Sequence, residues 1–129
     1  MGTSGMIGYW DKNTGKVTAT YCHYDSYVLG VGATLTEYYN EDIVAYAISR
    51  VGYVSSLEPS LADSAQNAVH KNEPPYEYVS VEEFIQEGYH DAGAEYLYLW
   101  EGSAWFVAPR DGDRRFTDVR TVLIEQHAA

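Results

Sequence analysis

The stretch YCHYDSYVLGVGATLTEYYN, residues 21–40, decides how this chain reads. It opens with strand formers, breaks at a polar and aromatic cluster, and resumes with helical spacing. Cys22, His23, Tyr24, Asp25, Ser26 and Tyr27 occupy the break. Side chains at a strand end are aimed by a rigid element and exposed by the loop that follows, which is a common setting for recognition groups.

Upstream, residues 6–10 alternate and read as a strand. Residues 11–15 form a turn in which Asn13 and Gly15 suit a hairpin backbone. Residues 16–24 supply the return strand, rich in Val17, Thr18, Thr20 and Tyr21. With a period of two, Val17, Ala19, Tyr21 and His23 share one face, and Thr18, Thr20, Cys22 and Tyr24 the other. Cys22 and His23 therefore diverge, which argues against an adjacent thiol–imidazole pair.

Downstream, Gly30 and Gly32 loosen the entry to a helix carrying Val31, Leu35, Tyr38 and Tyr39. Asn40 ends it and caps a second helix, with Glu41 and Asp42 in the first turn and Val44, Ala47, Ile48 and Val51 as the buried stripe. Gly52 is the stop. Residues 54–57 read as a short extended piece and residues 58–79 as a long polar loop. A helical turn is hinted within 60–70 by Leu61, Ala65 and Val69. Ser80 followed by Glu83 is a capping box for a helix bearing Phe84, Ile85 and Tyr89, stopped by Gly93. Residues 95–100 and 104–108 make a second hairpin, with Tyr96, Tyr98 and Trp100 on one face. Asp118 caps a final helix carrying Val119, Val122 and Leu123. The expected fold is one α+β domain, residues 1–129, in which two hairpins form a small antiparallel sheet with three to four helices on one face.

The chain has 129 residues, 46% of them hydrophobic, and a single cysteine, so one core is expected and no internal disulfide. The first residues lack the basic and apolar segments of a signal peptide, and no apolar run is long enough to span a bilayer. These features point to a cytoplasmic protein. The net charge is −11, from 19 acids against 8 bases, which disfavours direct nucleic-acid binding. Arg110, Arg114, Arg115 and Arg120 nevertheless fall in one short segment. Thirteen tyrosines are many for this length, and tyrosine combines a buriable ring with a polar tip.

Cys22, His23 and Asp25 are the residue types of a thiol nucleophile site, but triad members converge from separate elements rather than from neighbouring positions. His23, His70, His90 and His127, with Asp25 and Asp91, show no metal-ligand spacing. Asp111-Gly112-Asp113 lacks the later acids of a calcium loop, and Gly30 and Gly32 lack the third glycine of a dinucleotide fingerprint. No metal and no cofactor is expected.

The run YCHYDSY, then GVGATLTEYYN, then a glycine followed by SSL, and later EYLYLWEGSAWFV, resembles a family of small uncharacterised bacteriophage-encoded proteins. In that family the central motif commonly reads Cys-His-Trp-Asp-Gly-Tyr, followed by a helix ending in His-Tyr-Asn. The resemblance spans residues 1–57 and 94–107. This chain departs from it at Tyr24 and Ser26, and has Ser4 where the family often has Arg. The resemblance implies a setting, the cytoplasm of an infected host, and a counter-defence role. The expected function is a non-catalytic pocket that sequesters a small ligand such as a host nucleotide signal. His23, Tyr24, Asp25 and Tyr27 would form it, with Trp105 stacking on a base and Arg110, Arg114 and Arg115 pairing with phosphate. The alternative is an acidic inhibitor or DNA mimic of a host defence protein, using Glu82, Glu83, Glu87 and Asp91. A homodimer is expected, to cover the aromatic face of the second hairpin.

Overall fold

Two strand pairs, far apart in sequence, meet in a parallel ladder. In the computed structural model, which describes residues 3–66, 74–112 and 114–128, β1 (Gly5–Trp10) pairs antiparallel with β2 (Val17–Cys22) and parallel with β5 (Tyr96–Trp100). β5 continues antiparallel into β6 (Trp105–Pro109) and then β7 (Thr117–Asp118). On the other side, the outer edge of β2 is shared. β3 (Tyr53–Val54) pairs in parallel with its end, and β4 (Tyr76–Tyr78) pairs antiparallel with its start. Both hairpins expected from sequence are present. They belong to one seven-stranded mixed sheet rather than to a purely antiparallel one. β4 falls in the segment read as a long polar loop, and β7 includes Asp118, read only as a helix cap.

Alternation along β1 and β5 sends apolar side chains to both faces. Ile7, Tyr98 and Trp100 join one buried cluster; Met6, Leu97 and Leu99 join the other. A sheet apolar on both faces needs cover on both. The first face takes a π-helical turn (Val28–Gly32), α1 (Ala33–Tyr38), α2 (Asp42–Ser49) and α5 (Val119–Ala128), with Leu61 of α3 (Leu61–Gln66) packed at its margin. The second face takes α4 (Val81–His90) through Phe84 and Tyr89. Helices on one face only is thus corrected: the apolar pattern of the central strands demands two layers of cover. α4 lies close because Gly88 has no side chain; a Cβ there would meet Leu97 at 2.8 Å.

The aromatic face of β5 is covered within the chain, with Tyr98 and Trp100 fully buried. Tyr98 and Trp100 therefore need no second copy to cover them. The Trp105 ring packs edge-on against Trp100 at 5.4 Å, and its Nε1 donates to the Tyr39 carbonyl at 2.9 Å. Asp42 fastens α2 to this face, accepting from Tyr9 Oη at 2.9 Å and Trp100 Nε1 at 3.0 Å. The stripe of α2 is rotated from the expected one: Ala45, Ile48 and Ser49 are buried. Tyr38 of α1 is exposed. Asn40 is not the cap of α2, since Glu41 holds that position without a side-chain bond.

The Ser80 cap forms as read, with Glu83 N donating to Ser80 Oγ at 3.1 Å; the Glu83 carboxylate reaches one residue further back than in a capping box, accepting from Val79 N at 3.1 Å. Asp118 accepts from Arg120 N at 2.8 Å at the start of α5. Residues 22–27 form a corner held by backbone bonds. His23 N and Tyr24 N donate to Val54 and Ser55 carbonyls, and Ser26 N donates to the Thr3 carbonyl. The buried Tyr98 hydroxyl donates to the Ser26 carbonyl at 2.6 Å. Asp25 adopts a left-handed backbone, φ 61°, and its carbonyl accepts from Val31 N. That chain reversal leaves no room at Gly30, where a Cβ would overlap the Asp25 carbonyl oxygen. Gly30→Ala is expected to lower unfolding free energy by about 1–3 kcal/mol, read from urea denaturation, because backbone rather than a flexible side chain must yield.

Candidate functional site

The split edge of β2 creates a broad cleft. Pairing fixes which side chains line it. Tyr76 lies opposite Ala19, Tyr78 opposite Val17, and Tyr53 opposite Tyr21, so these rings share the face that carries Val17, Ala19 and Tyr21. His23 continues that face past the end of β2. α4 lies against the same face and turns Glu83, Glu87 and Asp91, spaced one per turn, toward the rings. The result is a cleft of about 550 Å³, floored by Tyr21, Tyr53, Tyr76, Tyr78 and His23 and walled by the three acids and Ala92.

Its rings are ordered by one another. Tyr21 stacks on Tyr53 with centroids 5.1 Å apart, and Tyr78 leans on Phe84 of α4 at 5.4 Å. His23 Nδ1 lies 3.4 Å from the Tyr53 hydroxyl, and the Tyr24 ring meets the His23 ring edge-on at 4.4 Å. Burial pushes the Tyr53 and Tyr78 phenols above their ordinary range, so both stay neutral at physiological pH. Glu87 is also raised. A hydrogen bond shared with Asp91 is the main cause, followed by desolvation and by the charges of Asp91 and Glu83. Negative potential thus accumulates on the α4 wall, opposite a floor of π faces.

The residues expected to form one ligand site are distributed instead over several places. His23 lines the tyrosine cleft, beside Tyr24. Asp25 and Tyr27 border a smaller cleft of about 270 Å³ beside the π-helical turn. Tyr27 also borders a separate hollow with Arg110. Arg110 and Arg114 meet across a third cleft, while Arg115 lines none of these. Trp105 is buried in the core, so it has no face to offer a base; strand register had left its side open.

Cys22 points to the face opposite His23, wholly buried, with Sγ donating to the Tyr24 carbonyl at 3.4 Å. Burial pushes its thiol up to about 11, so it carries no thiolate at neutral pH. Among the described residues no group of three His, Cys, Asp or Glu side chains could hold a metal ion. His70 lies outside the described residues. No described helix is long and apolar enough to cross a membrane.

Sequence reasoning missed Tyr53, Tyr76 and Tyr78, and read Glu83, Glu87 and Asp91 with Glu82 as an acidic face for a host protein rather than as the wall of a cleft. The one-per-turn acids and the alternation of Tyr21 with His23 were the available signals. No protein-family model, curated protein or solved structure matches the chain.

The Glu87 shift has a defined sign for stability. Its folded pKa is above the unfolded value near 4.5. Its contribution is therefore complete below that value and is lost as pH rises through the folded pKa. Stability is expected to fall over that window, and Glu87→Gln to flatten the fall, in urea midpoints measured between pH 4 and pH 7. An unchanged slope in the variant would show that Glu87 keeps its ordinary value.

Proposed function

We propose that the protein is a non-catalytic accessory protein that captures a small organic cation, an amine or guanidinium, in the tyrosine cleft. One observation carries the reading: four tyrosine rings face carboxylates set one per turn along α4. Aromatic faces attract cations, by roughly 0.5–2 kcal/mol per contact as desolvation increases. Carboxylates add charge-assisted hydrogen bonds. The volume of about 550 Å³ suits a small molecule. A nucleotide phosphate entering here would meet Glu83, Glu87 and Asp91, so a cation is the better ligand class than the nucleotide signal expected from sequence. The net charge of −11 would draw a cation toward the whole molecule. The cleft is complete within one chain and asks for no second subunit. The resemblance in residues 1–57 and 94–107 supports a bacteriophage counter-defence setting in the host cytoplasm, where capture would deplete a host molecule.

A second reading draws on the same helix. Glu82 is exposed next to Glu83, and with Glu87 and Asp91 it would offer a basic host protein an acidic face, as an inhibitor or DNA mimic. Salt separates the two. Contacts between exposed charges weaken steeply with ionic strength, whereas a cation held against rings loses less.

Calorimetry with a quaternary ammonium compound, a guanidinium compound, a polyamine and a set of nucleotides tests the proposal. Heat is expected with one or more cations, and no nucleotide is expected to compete with the cation for the tyrosine cleft. Tyr21→Ala and Glu83→Gln should each weaken binding about tenfold, the size of one good cation–π or charged hydrogen-bond contact. Silence toward all cations, together with salt-sensitive retention of a basic host protein, would move the assignment to the second reading. Silence in both assays would remove both.

A further inference from the structure

α4 separates two clefts of opposite character. One is the tyrosine cleft with its acids. Across the helix lies a cleft of about 470 Å³ lined by Gln86, Tyr89, His90, Arg110 and Arg114, with no carboxylate among those residues. In a chain with 19 acids and 8 bases this is an unusual gathering of positive groups.

Arg114 is held from two directions. Its guanidinium carbon sits 4.7 Å from the centre of the Tyr89 ring, and its Nε donates to the Arg110 carbonyl at 3.0 Å. Tyr89 is itself fixed: its hydroxyl donates to the Ala108 carbonyl, and burial pushes its phenol up to about 12. The platform is therefore a neutral ring, anchored through its hydroxyl. With one face and Nε engaged, the two terminal guanidinium nitrogens make no hydrogen bond to the described residues and form a planar donor edge. Arg114 also adopts a left-handed backbone, φ 59°, which few residues other than glycine accept without cost. Stacking of arginine on tyrosine can be simple packing of a long side chain. Here Arg110, the His90 ring and the Gln86 amide line the same concavity, and packing of Arg114 alone does not require them.

We infer that this cleft is an oxyanion site for a phosphate group, either free phosphate or a phosphomonoester. The donor edge of Arg114 pairs with two phosphate oxygens, Arg110 supplies the second positive charge, and His90 and Gln86 donate to the remaining oxygens. Opposing charges are present. The carbonyl end of α4 carries about half a negative charge. Glu87 lies within electrostatic reach of His90, and Arg110 also borders the hollow containing Glu95 and Asp111. Two guanidinium charges outweigh the helix end, and the fixed position of Arg114 makes it the principal residue. The inference is independent of the cation cleft.

Titration of the intact chain with inorganic phosphate, followed by two-dimensional NMR, tests it. Sodium chloride at matched ionic strength and sodium acetate are run alongside. Saturable shifts are expected at the Arg114 Nε–H and at the Tyr89 and His90 amides with phosphate. Arg114→Gln should weaken phosphate binding at least about tenfold, the size of a lost charged hydrogen-bond pair. Arg114→Lys should recover only part of it, since the charge returns without the fork. Arg50→Gln, at the distant Tyr46 stack, should change nothing. Because Arg114 packs on Tyr89, Arg110→Gln serves as a second variant, with thermal unfolding confirming that each is folded. Equal shifts with sodium chloride would overturn the site, as would undiminished binding in both variants. Acetate binding as tightly as phosphate would overturn the phosphate assignment. Phenyl phosphate against inorganic phosphate then distinguishes a monoester from the free ion.

Discussion

The parallel ladder between β1 and β5 is the constraint on which the remaining structure depends. It joins two hairpins into one sheet and places two strands at its centre, each with neighbours on both sides. Such strands bury both faces, and their sequences comply: Met6 and Ile7 point opposite ways, as do Leu97 and Tyr98, and all four are fully buried. Cover on both faces follows. Among the described helices α4 alone serves the second face, where it packs against β5 and reaches β4 at the divided edge of β2. The tyrosine cleft is what remains between a single covering helix and a divided sheet edge.

Much of this was written locally. The alternation of both hairpins, the Ser80 cap and the Asp118 cap depend on neighbours within a few residues, and all three appear as read. The β1–β5 ladder was not legible, because its partners lie about ninety residues apart and no turn sequence announces a parallel pairing. β3, β4 and β7 have two or three residues each, too few to show a period. That explains the site as well. The His23 face was read correctly from alternation. Its partners Tyr53, Tyr76 and Tyr78 come from strands that only pairing with β2 creates. Trp105 shows the reverse error: an aromatic residue opening a strand was assigned to a ligand, when Trp100 and the Tyr39 carbonyl already engage it.

The 22–27 corner gains a different meaning from the one its side chains suggest. Its importance lies largely in the main chain. Amides of His23, Tyr24 and Ser26, and carbonyls of Asp25 and Ser26, tie β3, the Thr3 segment, β5 and the π-helical turn to one point. Ser26 is buried, and Gly5 faces it so closely that a Cβ on Gly5 would lie 2.7 Å from the Ser26 Cβ. Small residues meet at this joint because four segments converge on it. His23 leaves the joint toward the cleft and Cys22 turns into the core, so adjacent residues serve binding and packing separately.

The shortness of the outermost strands has a consequence for the protein in a crowded solution. A wide sheet with long, straight borders would offer rows of main-chain donors and acceptors to another copy. Here one border is divided between β3 and β4, and the other ends in the two residues of β7. Among the described residues neither border is long enough to template the addition of a further strand, and a charge of −11 adds repulsion between copies. Resistance to fibrous self-association is thus built into the same short strands that give the cleft its shape.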